Sequence, residues 1–332
     1  MNEWLGALVA ADVKKAMPVL SFPSAELLGV GVLELISSSD KQAEGMARVA
    51  QRCDAAASVS FMDLSVEAEC FGSTVRFSED EVPTVVGGIV ATPEDAEALA
   101  VPEVGAGRTG TYVEAIRQAK GLIADRPVLA GVIGPFSLAG RLMDVTQAML
   151  LCYDEPELVH AVLAKVTQFL IAYAAAYRQA GADGVVIAEP LGGVLSPDLA
   201  REFSAAYVTQ IVAATRTDDF AVIYHNCGGA TIQSIDSILS TGASGFHFGN
   251  AIRMADMLPL IPDTVPVFGN VDPAGQFRNG TPASIRETTL GLLAECAGHR
   301  NFVVSSGCDI PPGTPWDNID AFFAAVREFY GA

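Results

Sequence analysis

The chain has 332 residues, of which 50% are hydrophobic and 18% are charged. With 20 basic and 39 acidic residues its formal net charge is −19, which disfavours partners such as nucleic acids and anionic membrane surfaces. Six cysteines are too thinly spread for a disulfide framework, and the N-terminus lacks the basic segment of a secretion signal, so we expect a cytoplasmic protein.

Apolar runs rich in Val, Ile and Phe alternate with stretches of helical periodicity along the chain. Eight runs are candidate strands: residues 18–22, 59–64, 128–134, 184–189, 221–226, 245–248, 265–270 and 302–306. Eight strand-helix units with right-handed crossovers close into a barrel, so the predicted fold is α/β, a (β/α)8 TIM barrel. No low-complexity linker divides the chain, so residues 1–332 are predicted to form one domain with its active site at the carboxyl ends of the strands.

Helix starts are marked by a hydroxyl residue followed by Pro, because the hydroxyl caps free amide groups and Pro suits the first helical position. Four such pairs occur: Thr92-Pro93, Ser196-Pro197, Thr281-Pro282 and Thr314-Pro315. Between residues 155 and 179 apolar residues recur three or four positions apart, and Gly181 follows. This pattern predicts one long amphipathic helix that ends in a left-handed cap.

Residues 66–111 fit the alternation poorly. They contain a glycine turn at Gly72, an acidic run at residues 79–81 and the pair Gly87-Gly88. We expect this segment to be an insertion over the barrel mouth, with a hairpin and a lid.

Candidate metal ligands stand at the ends of two predicted strands. The strand at residues 221–226 ends in His225 and is followed by Cys227, and Cys308 follows the last strand. Imidazole and thiolate are the ligands that zinc prefers, and a catalytic zinc has three protein ligands with a fourth position open. The spacing therefore predicts a zinc site formed by His225, Cys227 and Cys308.

A plainer interpretation exists for each residue alone. A single buried Cys is usually a small hydrophobic residue, and a single His is more often a hydrogen-bonded core residue than a ligand. The remaining cysteines, which have no paired ligand nearby, are expected to be structural: Cys53, Cys70, Cys152 and Cys296.

Other strand ends carry further candidates. Glu189 is a candidate fourth ligand, proton acceptor or substrate anchor, and a structural hydrogen bond explains it equally well. His247 is either a core residue or a support for a metal ligand. The remaining catalytic candidates are Asn270 and Asp272, and the candidates for lining a cofactor pocket are Gly134, Phe136, Asp63 and Glu67.

Several of these segments resemble the uroporphyrinogen decarboxylase superfamily, and within it the branch of corrinoid-dependent methyltransferases that includes methylcobamide:coenzyme M methyltransferase. The resemblance covers nearly the whole chain. It is carried by residues 63–67 with Gly72, by residues 134–137, by Glu189-Pro190 with Ser196-Pro197, by residues 225–228, by residues 269–273 and by residues 307–311.

The resemblance implies an enzyme that moves a methyl group between a corrinoid and a small molecule, either a thiol or a methylated substrate such as a methyl ether. His225, Cys227 and Cys308 match the branch's zinc motif. The cobalt-ligating pattern Asp-x-His-x-x-Gly is absent, so the corrinoid is expected on a separate corrinoid-binding protein. Two alternatives remain, a metal-free decarboxylase and a non-catalytic zinc-binding barrel. The sequence resembles the decarboxylases less well, because their Arg-rich N-terminal segment has no counterpart at residues 17–29.

Overall fold

A computed structural model describes residues 1–331 and contains a parallel sheet of seven strands and a separate two-stranded hairpin. In chain order the strands are β1 (Ser58–Val59), β2 (Thr74–Arg76), β3 (Thr84–Val86), β4 (Val128–Ile133), β5 (Gly184–Ala188), β6 (Ala221–Asn226), β7 (Gly245–Phe248), β8 (Val267–Val271) and β9 (Phe302–Ser306). The sheet order is β1-β4-β5-β6-β7-β8-β9. Strands β4 to β9 are buried along their whole length, as expected for a parallel sheet that helices cover.

Residues 16–22 lie between β9 and β1 and include the first of the eight predicted strands, residues 18–22. The Met17 amide donates to the Val304 carbonyl of β9 at 3.0 Å, and the Ala56 amide donates to the Ala16 carbonyl at 2.8 Å. The prediction of a strand at residues 18–22 is nevertheless wrong, because Pro18 has no amide proton and the Val19 amide donates to the Ser306 hydroxyl at 3.0 Å. The TIM-barrel class is confirmed, with seven laddered strands and an extended segment between β9 and β1.

Two apolar clusters separate the inside of the barrel from its outer shell. Alternate strand residues point to opposite faces, so Ala221 and Ile223 of β6 belong to the inner cluster while Val222 and Tyr224 pack outward against helices. The inner cluster is closed at the base by Leu5 of the first helix. This parity decides which side chains at the strand ends reach the barrel interior.

Sixteen α-helices surround the sheet within residues 1–331. They are α1 (Asn2–Ala10), α2 (Ser24–Leu28), α3 (Val32–Ser37), α4 (Ser39–Arg52), α5 (Val66–Cys70), α6 (Pro93–Ala98), α7 (Thr109–Leu122), α8 (Pro135–Met143), α9 (Val145–Asp154), α10 (Pro156–Gln179), α11 (Pro197–Leu199), α12 (Ala206–Thr215), α13 (Ile235–Ser240), α14 (Met254–Met257), α15 (Pro282–Cys296) and α16 (Trp316–Tyr330). A π-helical turn at Ala200–Ala205 joins α11 to α12, and another lies at Pro273–Arg278.

The predicted long helix is confirmed as α10, and Gly181 behind it has the left-handed φ of 99°. By length and composition α10 is apolar enough to cross a membrane. Its apolar face, which includes Leu158, Val162, Phe169 and Tyr177, is buried in the fold. The helix therefore supplies one side of the core around the barrel.

Three of the four predicted helix starts are confirmed, at Pro93, Pro197 and Pro282. The fourth is displaced by one residue. Pro315 is extended, with a ψ of 131°, and α16 begins at Trp316. The Thr314 hydroxyl donates to the Pro311 carbonyl at 2.8 Å, so it does not cap the helix.

The segment predicted as an insertion contains α5, the hairpin of β2 and β3, and α6. After the hairpin, the amides of Ile89 and Val90 donate to the Leu142 carbonyl at 2.7 and 3.0 Å. These bonds fix the base of the hairpin to the junction of α8 and α9. The role of this segment as a lid stays a prediction.

Candidate metal centre at the barrel mouth

His225, Cys227 and Cys308 converge at the carboxyl end of the sheet. His225 follows Ile223 on the inward face of β6, Cys227 stands one residue beyond that strand, and Cys308 stands two residues beyond β9. One ligand atom from each of these residues lies within 4.8 Å of the other two. Parallel strands bring their carboxyl ends to the same rim, which is why residues so distant in sequence meet here.

A chain of buried hydrogen bonds fixes the tautomer of His225. The Ser305 hydroxyl donates to the Met17 carbonyl at 2.7 Å, so its oxygen accepts from Nε2 of His247 at 2.8 Å. Nδ1 of His247 is then the acceptor for the proton on Nδ1 of His225, at 2.7 Å. Burial holds the pKa of His247 well below its usual range, which keeps this ring neutral.

The consequence is a lone pair on Nε2 of His225. This atom is buried and has no hydrogen-bond partner within residues 1–331. A buried unpaired polar atom is costly, and metal-binding histidines characteristically have their other ring nitrogen hydrogen-bonded in this way. The imidazole thus has the orientation that a metal ligand would need.

The two thiols complete the donor set. The neighbouring Cys308 side chain lowers the pKa of Cys227, and the Cys227 side chain together with burial raises the pKa of Cys308 to about 12. One imidazole nitrogen and two sulfurs are a set that suits zinc, with a fourth position for substrate or water. Gly249 permits this arrangement, since a Cβ at that position would lie 2.4 Å from Cβ of Cys227.

A small apolar pocket opens above the three ligands. Its volume is about 70 Å³, and its other walls are Val19, Met62, Leu64, Ala188, Pro190 and Asp309. Met62, Leu64 and Pro190 also line an adjoining cleft of about 510 Å³, whose far wall is formed by residues 82–85 of the hairpin and by Arg141 and Val145. A ligand site of this size therefore leads from solvent to the three ligands.

Comparison with known proteins places this site in a family. The family model described as "Uroporphyrinogen decarboxylase (URO-D)" matches residues 13–329. The chain belongs to the uroporphyrinogen decarboxylase family.

Members with two different activities resemble the chain to the same degree. The Methylcobamide:CoM methyltransferase MtbA of Methanosarcina acetivorans is 27% identical over 80% of this chain and 78% of its own length. The uroporphyrinogen decarboxylase of Alcanivorax borkumensis is 27% identical over 89% of this chain and 85% of its own length. A solved methyltransferase from Methanosarcina mazei superposes with a TM-score of 0.86 at 25% identity, covering 98% of this chain and 97% of its own. The chain is therefore related to both methyltransferases and decarboxylases.

Within this family fold, Glu189 points away from the metal pocket. It follows Ile187 on the outward face of β5, and its carboxylate accepts the amides of Phe136 and Ser137 at the start of α8, at 2.9 and 2.6 Å. Burial raises the pKa of Glu189 to about 7. Gly134 allows the close approach, because a Cβ there would lie 2.5 Å from Cδ of Glu189. Phe136 itself is fully buried in the core.

Asp63 and Glu67 are buried beside the mouth. Asp63 forms an ion pair with Arg108 and accepts the Tyr112 hydroxyl at 2.9 Å. Oε1 of Glu67 accepts the Ile133 amide at 3.0 Å, whereas Oε2 has no partner within residues 1–331. Burial raises the pKa of Glu67 to about 7.

Asn270 and Asp272 hold backbone segments in place. The Asn270 amide donates to the carbonyls of Gly249 and Ile252 at 2.9 and 2.6 Å, which supports the loop after β7. Asp272 caps the π-helical turn through the amides of Ala274 and Gly275. Of the predicted site residues within 1–331, the metal pocket is lined by His225, Cys227 and Cys308. The other predicted site residues do not line it: Asp63, Glu67, Gly134, Phe136, Glu189, His247, Asn270 and Asp272.

Three polar residues of the site were not among the sequence candidates. Asp309 lines the metal pocket, and its Oδ2 accepts the Met62 amide at 3.1 Å. Arg141 lines the cleft, and Ser305 ends the hydrogen-bond chain behind His225. Asp309 is adjacent to Cys308, and Ser305 lies on the inward face of β9 with Val303, so proximity and parity were usable signals for these two. The position of Arg141 depends on how α8 packs, which no local pattern indicates.

Proposed function

We propose that this protein is a zinc-dependent methyltransferase that moves a methyl group between a corrinoid, carried by a separate protein, and a small molecule. The observation that carries the proposal is the unpaired Nε2 of His225, held beside two sulfurs beneath an open cleft. The methyltransferases among the relatives support it.

His225, Cys227 and Cys308 would hold the zinc. When bound, zinc would lower the pKa of a substrate thiol, or polarise the oxygen or nitrogen of a methylated substrate, in its fourth position. His247 and Ser305 orient the imidazole. The apolar walls of the pocket, among them Val19 and Ala188, keep water away from the reacting atoms.

The cleft supplies the room for the second reactant. In the direction of methyl transfer to a thiol, the sulfur–carbon bond forms as the cobalt–carbon bond breaks, and the electron pair of that bond remains on cobalt as Co(I). Hairpin residues 82–85 face this cleft and would hold the reactants together. Transfer in the opposite direction, from a methyl ether or methylated amine to Co(I), uses the same residues.

A decarboxylase acting on an anionic tetrapyrrole is the alternative that the remaining relatives raise. Such a substrate needs several cationic contacts. Among their lining residues within 1–331, the cleft and the metal pocket together contain one Arg, Arg141, and no Lys. Residues 17–29 contain neither Lys nor Arg. These features favour methyl transfer.

Metal analysis combined with an activity assay tests the proposal. We expect about one zinc per purified wild-type chain, and loss of both zinc and methyl transfer from methylcobalamin in Cys227→Ser and Cys308→Ser. Cys296→Ser, a buried cysteine away from the site, is the matched control and should keep both. Absence of methyl transfer in the wild type, with decarboxylation of a porphyrinogen that survives in the first two variants, would point to a metal-free decarboxylase. Zinc without either activity would point to a non-catalytic zinc barrel.

A further inference from the structure

Exposed apolar side chains are concentrated on one side of the barrel mouth. Ten large apolar residues are exposed within residues 1–331. Six of them form what we call the rim patch: Val86, Ile89, Val145, Leu150, Tyr153 and Val194. Tyr153 is 70% exposed and Leu150 is 51% exposed. Contiguous exposed apolar surface of this kind typically marks an interaction site.

Helix α9 presents the centre of the rim patch. Its buried side is formed by Ala148 and Cys152. At 100° per residue, Val145, Tyr153 and Leu150 span an arc of roughly 140° that begins beside Cys152. Leu150 and Tyr153 therefore face solvent, and Val145 lies at the boundary with the buried side. The helix thus has one apolar face toward the core and a second toward solvent.

The hairpin and the turn after β5 extend the rim patch on both sides of α9. Gly88 packs closely against the start of α9, because a Cβ atom on Gly88 would lie 2.9 Å from the Asp144 amide nitrogen. This close packing brings Val86 and Ile89 beside the helix. On the other side, Leu191 approaches Gly140 of α8, and the short helix Gly192–Val194 follows it.

The rim patch is continuous with the cleft that leads to the metal ligands. Val145 belongs to both surfaces. Val85, which lines the cleft, precedes Val86 of the rim patch in sequence. Leu191, which also lines the cleft, accepts a hydrogen bond from the Val194 amide of the rim patch. A partner seated on the rim patch would face the opening of the cleft.

The segments that form the rim patch carry an excess of carboxylates, of which Glu81 is paired with Arg278 at 3.0 Å. These three segments, residues 77–91, 144–157 and 190–196, contain three, four and no carboxylates respectively and no Lys or Arg. Two copies of this chain meeting at this face would bring like charges together, which costs free energy at an interface. A partner with basic residues around an apolar centre complements it.

We propose that the rim patch is the docking surface for the corrinoid-carrying protein, and that the contact face of that protein is apolar at its centre and basic at its edge. This inference rests on the proposed function. Docking here holds the corrinoid at the entrance of the cleft, and the acidic edge steers the partner's approach and makes the association sensitive to salt.

The test compares protein-bound and free corrinoid. The probes are the proteins of the same organism that carry the Asp-x-His-x-x-Gly signature, each purified with methylcobalamin bound, and free methylcobalamin itself. We expect the double variant Leu150→Ser/Tyr153→Ser to weaken binding of one such protein at least tenfold. Its rate with free methylcobalamin, measured with the zinc-loaded enzyme and CoM or mercaptoethanol as acceptor, should stay within twofold of wild type, because neither residue lines the cleft.

Leu122→Ser is the matched control, because Leu122 is 58% exposed at the end of α7 and lies outside the rim patch. It should leave binding unchanged. A second variant, Asp154→Lys/Glu155→Lys, should weaken binding and reduce its dependence on salt.

Three outcomes overturn the docking proposal while zinc-dependent methyl transfer from a corrinoid stands: the double variant binds like wild type, no corrinoid protein binds although free methylcobalamin reacts, or sedimentation shows a wild-type dimer that the double variant dissociates. Failure of the zinc-loaded wild type to react with either form of corrinoid would instead overturn the proposed function.

Discussion

Replacing His247 by Leu tests the chain of hydrogen bonds that orients His225 in the proposed metal centre. His247 is fully buried, and its Nδ1 is the acceptor for Nδ1 of His225 at 2.7 Å. Leu fills similar space but accepts no hydrogen bond. In the variant, His225 either keeps a buried, unpaired N–H or adopts the other tautomer, whose proton occupies the nitrogen that faces the thiols.

The expected change in the Kd for zinc follows from these two possible states of His225. A buried donor without a partner costs about 1–3 kcal/mol. Because binding of zinc requires the Nδ1–H tautomer, this cost falls on the zinc-bound state, and about 1.4 kcal/mol corresponds to a tenfold change in Kd. We therefore expect His247→Leu to raise the Kd for zinc about 10- to 100-fold, the range seen when residues that support metal ligands are changed.

Competition with a chromophoric zinc chelator measures this Kd. His247→Gln is the matched control, because its side-chain oxygen can accept the proton from Nδ1 of His225, and it should bind zinc within a few-fold of wild type. If His247→Leu binds zinc as tightly as wild type, the hydrogen-bond chain does not orient His225 and the reasoning about its tautomer is wrong.

Three further predictions concern close packing, pH and the metal. Gly249→Ala should displace Cys227 and abolish tight zinc binding, as measured by metal content. Gly291→Ala in α15 is the control, because its Cβ would meet nothing within 4 Å. In thermal unfolding this control should be neutral or stabilise the fold by up to about 1 kcal/mol. The pKa of Glu67 is raised from 4.5 to about 7, so its contribution to stability is present below about pH 4.5 and lost as pH rises through about 7. Glu67→Gln should accordingly flatten the dependence of the unfolding free energy on pH in that window, by on the order of 3 kcal/mol, and an unchanged slope in denaturant titrations would contradict the shift. Removal of zinc by a chelator should lower Tm by several degrees. The reason is that a ligand present at 1,000 times its Kd stabilises the native state by about 4 kcal/mol. An identical Tm with and without chelator would contradict a metal site of this affinity.

The sequence pattern predicted the barrel because parallel strands buried on both faces are continuous apolar runs, and β4 and β5 are the plainest examples. The convergence of the three ligand atoms followed from the rule that such strands end on one rim. Residues 18–22 look like another strand, but their pairing depends on Pro18 and on the side chain of Ser306, which apolar periodicity does not register.

Side-chain direction was the part of the site that strand-end position alone did not predict. Glu189 and His225 both stand at the carboxyl ends of their strands, yet Glu189 shares the outward face of Ile187 while His225 shares the inward face of Ile223. Counting the alternation along each strand would have separated them. The roles of Arg108 and Arg141 arise from contacts between distant segments and had no local signal.

The directions of the carboxylates determine the charge of the proposed metal centre. Two thiolates would balance the charge of a divalent cation, and the buried His247 beside His225 is neutral. Of the nearest carboxylates, Glu189 is bound to the amides at the start of α8 and Oδ2 of Asp309 accepts the Met62 amide. Because the protein's own ligands would already neutralise the cation, a substrate thiolate in the fourth position would make the proposed centre anionic and leave its sulfur nucleophilic, which is the condition that transfer of a methyl group to sulfur requires.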